Sequence, residues 1–183
     1  MIYIVAGHPR SGTSMMMYAL KQAGMALFYS LEREALLMDL VKDKPVHPNP
    51  NGFYEISNIQ NMERVAEVLE GRLAKVWPRN FPFLPEASYK VIWMLRSTPA
   101  IRNSVALAFE KMLGTIATNP YEAQLKKLER VSSERPDMNI LPVYYDDVVE
   151  RPHQEFARIV NFLGVPLDVT AAAKTVEPKL RSF

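Results

Sequence analysis

Residues 2–14 read Ile2-Tyr3-Ile4-Val5-Ala6-Gly7-His8-Pro9-Arg10-Ser11-Gly12-Thr13-Ser14, an apolar run that breaks into a glycine-punctuated turn. The run is rich in β-branched residues and stops at Gly7, the pattern of a buried strand. Residues 7–14 match the phosphate-binding loop G-x-x-x-x-G-K-[ST] at both glycines and at the closing hydroxyl, but Thr13 stands where that loop carries its lysine. Backbone N–H groups and a helix N-terminus still make an anion cradle there. The cation that an ATP-cleaving loop aims at the β- and γ-phosphates is missing, and Arg10 is the nearest replacement charge. The chain reads as a binder of a phosphorylated nucleotide rather than as an enzyme that transfers a γ-phosphoryl group. An ordinary strand-to-helix turn would account for the glycines. It would not account for Arg10, Ser11, Thr13 and Ser14 together.

From Gly12 onward, Met15, Met16, Tyr18, Ala19, Leu20 and Ala23 read as a mostly buried helix that stops at Gly24. In it Met15, Met16 and Met17 suit core packing behind the loop. Residues 31–40 (LEREALLMDL) read as a second helix with Leu31, Ala35, Leu36 and Met38 toward its apolar side. PVHPNPNG, residues 45–52, is an exposed loop, and PRNFPFLPE, residues 78–86, another. Residues 56–69 carry Ile59, Met62, Val65, Ala66 and Leu69 at helix spacing and are closed by Gly71. Strands are expected at 73–77, 91–95 and 140–145. Thr98 caps a helix with Pro99 at its first position. Residues 121–131 form a charged helix. Pro152 opens a helix whose Phe156, Ile159, Val160 and Leu163 face inward as far as Gly164. Strands alternating with helices predict one α/β domain over residues 1–183, a P-loop-type three-layer fold whose central, mostly parallel sheet of four to five strands is flanked by helices.

Composition narrows the class. The 183 residues are 48% hydrophobic and 23% charged, which suits a globular domain with its own core. A net charge of +2 does not indicate a general nucleic-acid surface. Without cysteine there is no disulfide framework and no thiolate ligand or nucleophile, and no metal site is expected. No apolar run approaches the roughly 18 residues that span a bilayer, and the first residues lack a signal-peptide pattern. The expectation is a cytoplasmic protein.

A second anion site fits the same ligand. Arg96 ends the strand 91–95, and Ser104 lies eight residues on in the following helix. Strand C-termini of a parallel sheet gather at one edge, so Arg96 and the Gly7 loop should open onto one crevice. Arginine suits bidentate phosphate binding, and a serine hydroxyl adds a neutral donor.

By these two sites the chain resembles the sulfotransferases that use 3′-phosphoadenosine 5′-phosphosulfate (PAPS), in particular small bacterial or phage-like members. PRSGTS, Pro9 to Ser14, resembles that family's 5′-phosphosulfate loop. VIWMLRSTPAIRNSVAL, with Arg96 and Ser104, resembles its 3′-phosphate site. PVYYDDVVERPHQEFARIVNFLGVPL resembles its strand-loop-helix in the last third, and NPNGFYE is similar to a stretch of bacterial members. The resemblance implies that Pro9, Arg10, Ser11, Gly12, Thr13 and Ser14 hold the 5′-phosphosulfate and that Arg96 and Ser104 hold the 3′-phosphate of PAPS. The product would be adenosine 3′,5′-bisphosphate (PAP). Lys179 and Arg181 are candidates for a C-terminal 3′-phosphate contact, or else solvated tail charges.

Sulfuryl transfer to a hydroxyl or amine of a small-molecule, glycan or peptide acceptor needs positive groups around the transferred oxygens and a base for the acceptor's proton. Arg10 and the loop amides serve the first need. For the base, Glu55, expected at a helix start, comes first, with His47 second and Glu32 or Glu34 as further candidates. Lys75, at a strand end, also points toward the sulfate, and His8 lines the crevice or packs. Trp77 and Trp93 stack on adenine or belong to the core. Phe53, Tyr54, Phe81 and Phe83 are available to an apolar or aromatic acceptor, or else anchor their loops. The competing readings are a P-loop nucleotide kinase or hydrolase, with an acidic residue of ILPVYYDD (Ile140 to Asp147) and Ser14 on Mg²⁺, and a sulfotransferase relative that only binds.

Overall fold

The run that opens the chain becomes strand β1 (Ile2–Gly7), buried along its whole length. In the computed structural model, which describes residues 1–43, 47–57, 59–109 and 119–176, β1 is the middle of a five-stranded sheet. It pairs in parallel with β3 (Leu73–Lys75) on one side and β4 (Tyr89–Leu95) on the other. Strand β2 (Leu27–Phe28) lies outside β3, and β5 (Met138–Tyr144) outside β4. The order is β2-β3-β1-β4-β5, and every pairing is parallel.

A parallel sheet must be covered on both faces, and successive residues of β1 go to opposite layers. Tyr3 and Val5 join Leu73, Ile92, Met94 and Val143 beneath α1 (Thr13–Gln22), α7 (Pro152–Leu163) and α8 (Val169–Lys174). The short α6 (Tyr145–Glu150) leads from β5 into α7. Ile2, Ile4 and Ala6 join Ala74, Val91, Trp93 and Leu95 on the other face. There they meet Val65 and Leu69 of α3 (Val65–Leu69), Phe81 of the 3₁₀ turn Pro78–Phe83, and Val131 of α5 (Pro120–Glu134). The three-layer α/β architecture is the one that the alternation of strands and helices implies.

Several local expectations change. Helix α2 (Leu31–Val41) forms, but Leu31, Leu36 and Leu40 are 72%, 66% and 71% exposed, and of its residues only Val41 is buried. The inward face is instead the stripe Glu34, Leu37, Met38 and Val41, with Leu37 and Met38 half-buried. The helix expected over 56–69 is reduced to a 3₁₀ turn, Ile59–Asn61, and the short α3. Glu55 therefore does not start a helix; it sits in extended backbone bridged to Lys75 beside β3. The strand expected over 73–77 stops at Lys75, and residues 78–86 contain a 3₁₀ turn. The two-residue β2 is too short to leave a periodic signal. Thr98 is the first residue of α4 (Thr98–Phe109) rather than its cap, because the first helical bond runs from Ile101 N–H to Ser97 O. The Thr98 hydroxyl instead donates to Asn119 Oδ1 at 2.7 Å and ties α4 to the start of α5. Val160 is half-buried beside its buried neighbours Phe156, Ile159 and Leu163.

Candidate active site

β1 lies at the sheet's switch point: the chain goes out to β2 and β3 on one side of it and then crosses to β4 on the other. Ligands of open α/β sheets bind outside the strand C-termini at such a point. Gly7 ends β1 there, opposite Met94 of β4. The turn beyond it has Arg10 at φ 69 and Gly12 at φ 97. A Cβ on Gly12 would lie 2.5 Å from Cδ2 of Tyr145, a ring that is itself buried, so this position takes only glycine. Gly12 is also the N-cap of α1 and supplies no side-chain cap, which leaves the first amides of the helix to an anion. Ser11 Oγ is fully buried and has no hydrogen-bond partner among the described residues.

Arg96, at the end of β4, reaches the same crevice. Its NH1 donates to the carbonyl of Arg10 at 3.0 Å, and its guanidinium lies 4.0 Å from the centre of the Tyr145 ring. Arg96 Nε is buried without a partner. Arg10 Nε donates to Ser104 Oγ at 3.0 Å, while NH1 and NH2 donate to Asn49 Oδ1 at 3.3 Å and Pro48 O at 3.0 Å. The two proposed half-sites are thus in direct contact. Burial, and after it the positive charge of Arg96, lowers Arg10 to about 10. Arg96 is lowered chiefly by burial, against the opposing pull of Tyr145 and Asp146. A half-buried and a buried cation side by side, Arg10 and Arg96, repel each other less when an anion lies between them.

The other wall comes from β3 and the segment 52–55. Lys75 is 5% exposed; its ammonium pairs with Glu55 Oε1 at 2.7 Å, donates to Ser14 Oγ at 3.1 Å, and bonds the carbonyl of Phe53. Burial lowers the Lys75 pKa, and Glu55 opposes that shift. Glu55 Oε2 accepts from Trp77 Nε1 at 2.8 Å. His47 Nδ1 accepts the Asn49 N–H at 3.2 Å, which places its ring proton on Nε2. Glu34 accepts the N–H groups of Phe53 and Tyr54, each at 2.6 Å.

The structure therefore brings together Arg10, Ser11, Gly12, Ser14, Arg96, Ser104 and Glu55, with His47 near Arg10 through Asn49. Thr13 is buried at the start of α1, and Pro9 is exposed at the loop tip. The loop at 45–52 is only partly exposed, since Pro48 and Gly52 are buried against the site, and residues 45 and 46 lie outside the described residues. Of the aromatics assigned to an acceptor surface, Phe53, Tyr54 and Phe81 are buried and only Phe83 is exposed. Trp93 is core; Trp77 is half-buried at the site. Asp147 pairs with Arg151 at 2.6 Å, and Ser14 Oγ donates to Phe53 O at 3.3 Å, so neither is arranged for a metal ion. Lys179 and Arg181 lie outside the described residues. Tyr145 was not among the expected site residues. Its signal is weak in sequence, an aromatic just after a strand; only the packing shows that it supports both Gly12 and Arg96.

Fold and crevice define an α/β protein with Arg10, Arg96 and Ser104 gathered at the sheet's switch point. Residues 71–169, more than half of the chain, match the family model of the sulfotransferase family, and the chain belongs to that family. The match includes Arg96 and Ser104 and begins after the Gly7 loop. Among solved structures, the chain is similar to retinol dehydratase in complex with androsterone and inactive cofactor PAP, at 19% identity and a TM-score of 0.46 over 97% of this chain and 63% of that one. It thus spans less than two thirds of that protein. It is also similar to the sulfotransferase domain of the curacin biosynthetic pathway, at 18% identity and TM-score 0.43 over 100% and 86% of the two chains. A third similar structure is an unliganded sugar kinase from Janibacter sp. HTCC2649, at 14% identity and TM-score 0.47 over 97% and 96%. No curated protein sequence matches the chain.

Proposed function

We propose that this chain transfers a sulfuryl group from PAPS to a hydroxyl or amine of a small-molecule, glycan or peptide acceptor. The observation that supports this most is the pair of anion sites in contact through Arg10 and Ser104, with Ser11 Oγ and Arg96 Nε buried and awaiting an acceptor. Arg10, Ser11, Thr13, Ser14 and the amides at the start of α1 would hold the 5′-phosphosulfate; Arg96 and Ser104 would hold the 3′-phosphate. The nucleotide supplies the sulfuryl group: the acceptor atom bonds to sulfur as the bond from sulfur to the phosphate oxygen breaks, and the acceptor's proton leaves to a base. Arg10, bonded to Ser104, and Lys75, bonded to Ser14, would supply positive charge to the transferred oxygens. Glu55 is the proposed base, because each of its oxygens keeps a lone pair beyond the bonds to Lys75 and Trp77. His47 is less suited, since its Nδ1 already takes the Asn49 N–H.

Calorimetric titration tests the nucleotide reading. PAP is expected to bind tighter than ADP by roughly ten- to a hundredfold, the worth of one charge-assisted phosphate contact, and without Mg²⁺. Equal affinities together with Mg²⁺-dependent cleavage of ATP would instead support the kinase or hydrolase reading. Transfer of labelled sulfate to a mixed pool of small hydroxyl and amine compounds tests the activity; intact binding with no transfer leaves a nucleotide-binding relative. In the same assay Glu55→Gln is expected to lower turnover by a hundredfold or so, the usual contribution of a general base, with PAP affinity preserved. Unchanged turnover would move the base to His47.

A further inference from the structure

One peptide group connects α2 to the sulfuryl end of the site. Glu34 accepts the Phe53 N–H at Oε1 and the Tyr54 N–H at Oε2, two short charge-assisted bonds from consecutive residues. The Tyr54 N–H and the Phe53 carbonyl belong to the same planar trans peptide and point in opposite directions. On the far side that carbonyl accepts from Ser14 Oγ at 3.3 Å and from the Lys75 ammonium, which itself donates to Ser14 Oγ at 3.1 Å. Fixing the N–H end of the peptide thus fixes the end that holds Lys75 and Ser14.

The local backbone is built around this contact. Gly52 has φ 110 and Tyr54 φ 58, left-handed values that turn successive amides toward one point and make a concavity for an anion. A Cβ on Gly52 would stand 2.9 Å from Glu34 Oε1, so glycine there leaves the carboxylate its room. Glu34 shares the inward face of α2 with Leu37, Met38 and Val41, and the N-cap of the helix is tied to the same segment by the bond from Ser30 N–H to Glu55 O at 2.9 Å.

We propose that Glu34 is a positioning residue for the sulfuryl end of the site, acting through the Phe53–Tyr54 peptide on Lys75 and Ser14. This rests on the sulfotransferase reading of the site.

The test compares wild type with Glu34→Gln and Glu34→Asp. Glutamine keeps the shape but turns an NH₂ group toward a backbone N–H; aspartate keeps the charge one methylene short. In Glu34→Gln, amide hydrogen exchange at Phe53 and Tyr54 is expected to speed up by at least about tenfold, as those bonds are lost. Affinity for PAPS, which carries the sulfuryl group, should fall roughly tenfold, whereas affinity for PAP should change by less than about twofold. Glu34→Asp should recover part of both losses. Unchanged exchange at the two amides, or equal loss of PAPS and PAP affinity, overturns the proposal. If wild type binds neither nucleotide, it is the sulfotransferase reading that fails, while the exchange result still decides whether Glu34 holds the peptide.

Discussion

Arg96→Ala is expected to weaken PAP binding by about a hundredfold or more in a calorimetric titration, because one change removes three things. The first is a guanidinium whose buried Nε has no protein partner and is available to a phosphate. The second is the bond from NH1 to the Arg10 carbonyl, which helps to hold the loop at φ 69, an unfavourable backbone value for an arginine. The third is the cation stacked 4.0 Å over Tyr145, the ring on which Gly12 also rests. Arg96→Lys keeps the charge without the planar fork and should fall between wild type and alanine. The stability of the free protein should move much less. Removal of Arg96 loses the bond to the Arg10 carbonyl and the stacking on Tyr145 but relieves the repulsion that, after burial, lowers Arg10, so the melting temperature is expected to change little. A site built for a ligand commonly carries such a penalty when empty. A fall in melting temperature with PAP affinity intact would show that Arg96 is a structural residue and would undo its assignment to the 3′-phosphate.

The features readable in the sequence are those whose chemistry is local. The strand-loop-helix at residues 2–22 arises from a β-branched run, two glycines and a helix start, all within one short stretch. Arg96 and Ser104 are placed by the rule that parallel strands end together, and their contact with Arg10 agrees with that placement. What could not be read depends on distant pairings. Glu55 has a helix-start sequence around it, yet the bridge to Lys75, twenty residues on, holds it extended. The apolar pattern of residues 56–69 meets too little sheet to support a long helix, because β3 is only three residues long. Glu34 reads in sequence as a free carboxylate; that its partners are backbone amides carries no side-chain signature. Tyr145 is known as a support only from the ring's position under Gly12 and Arg96.

Lys75→Met is expected to destabilise the fold by about 3–5 kcal/mol, because it strands the Glu55 carboxylate in a buried site. For a chain of this size that is a fall in melting temperature on the order of 10 °C. The double variant Lys75→Met with Glu55→Leu removes both charges and leaves neither stranded, so most of the stability should return while sulfuryl transfer remains lost. That pattern separates a pair retained for chemistry from one retained for folding; a double variant as unstable as the single one would favour folding. Glu55→Gln exposes the other half of the pair. Burial holds Lys75 below its ordinary value of 10.5, and Glu55 is the largest influence opposing that shift. Without Glu55 the folded protein releases the Lys75 proton at a lower pH than the unfolded chain does. Its stability relative to wild type should therefore rise with pH below the ordinary lysine value of 10.5, where the unfolded state comes to hold the extra proton. Chemical denaturation of both proteins across that range checks the sign. A flat difference would mean that Lys75 stays protonated without Glu55, with the Phe53 carbonyl and the Ser14 hydroxyl sufficient to hold it charged.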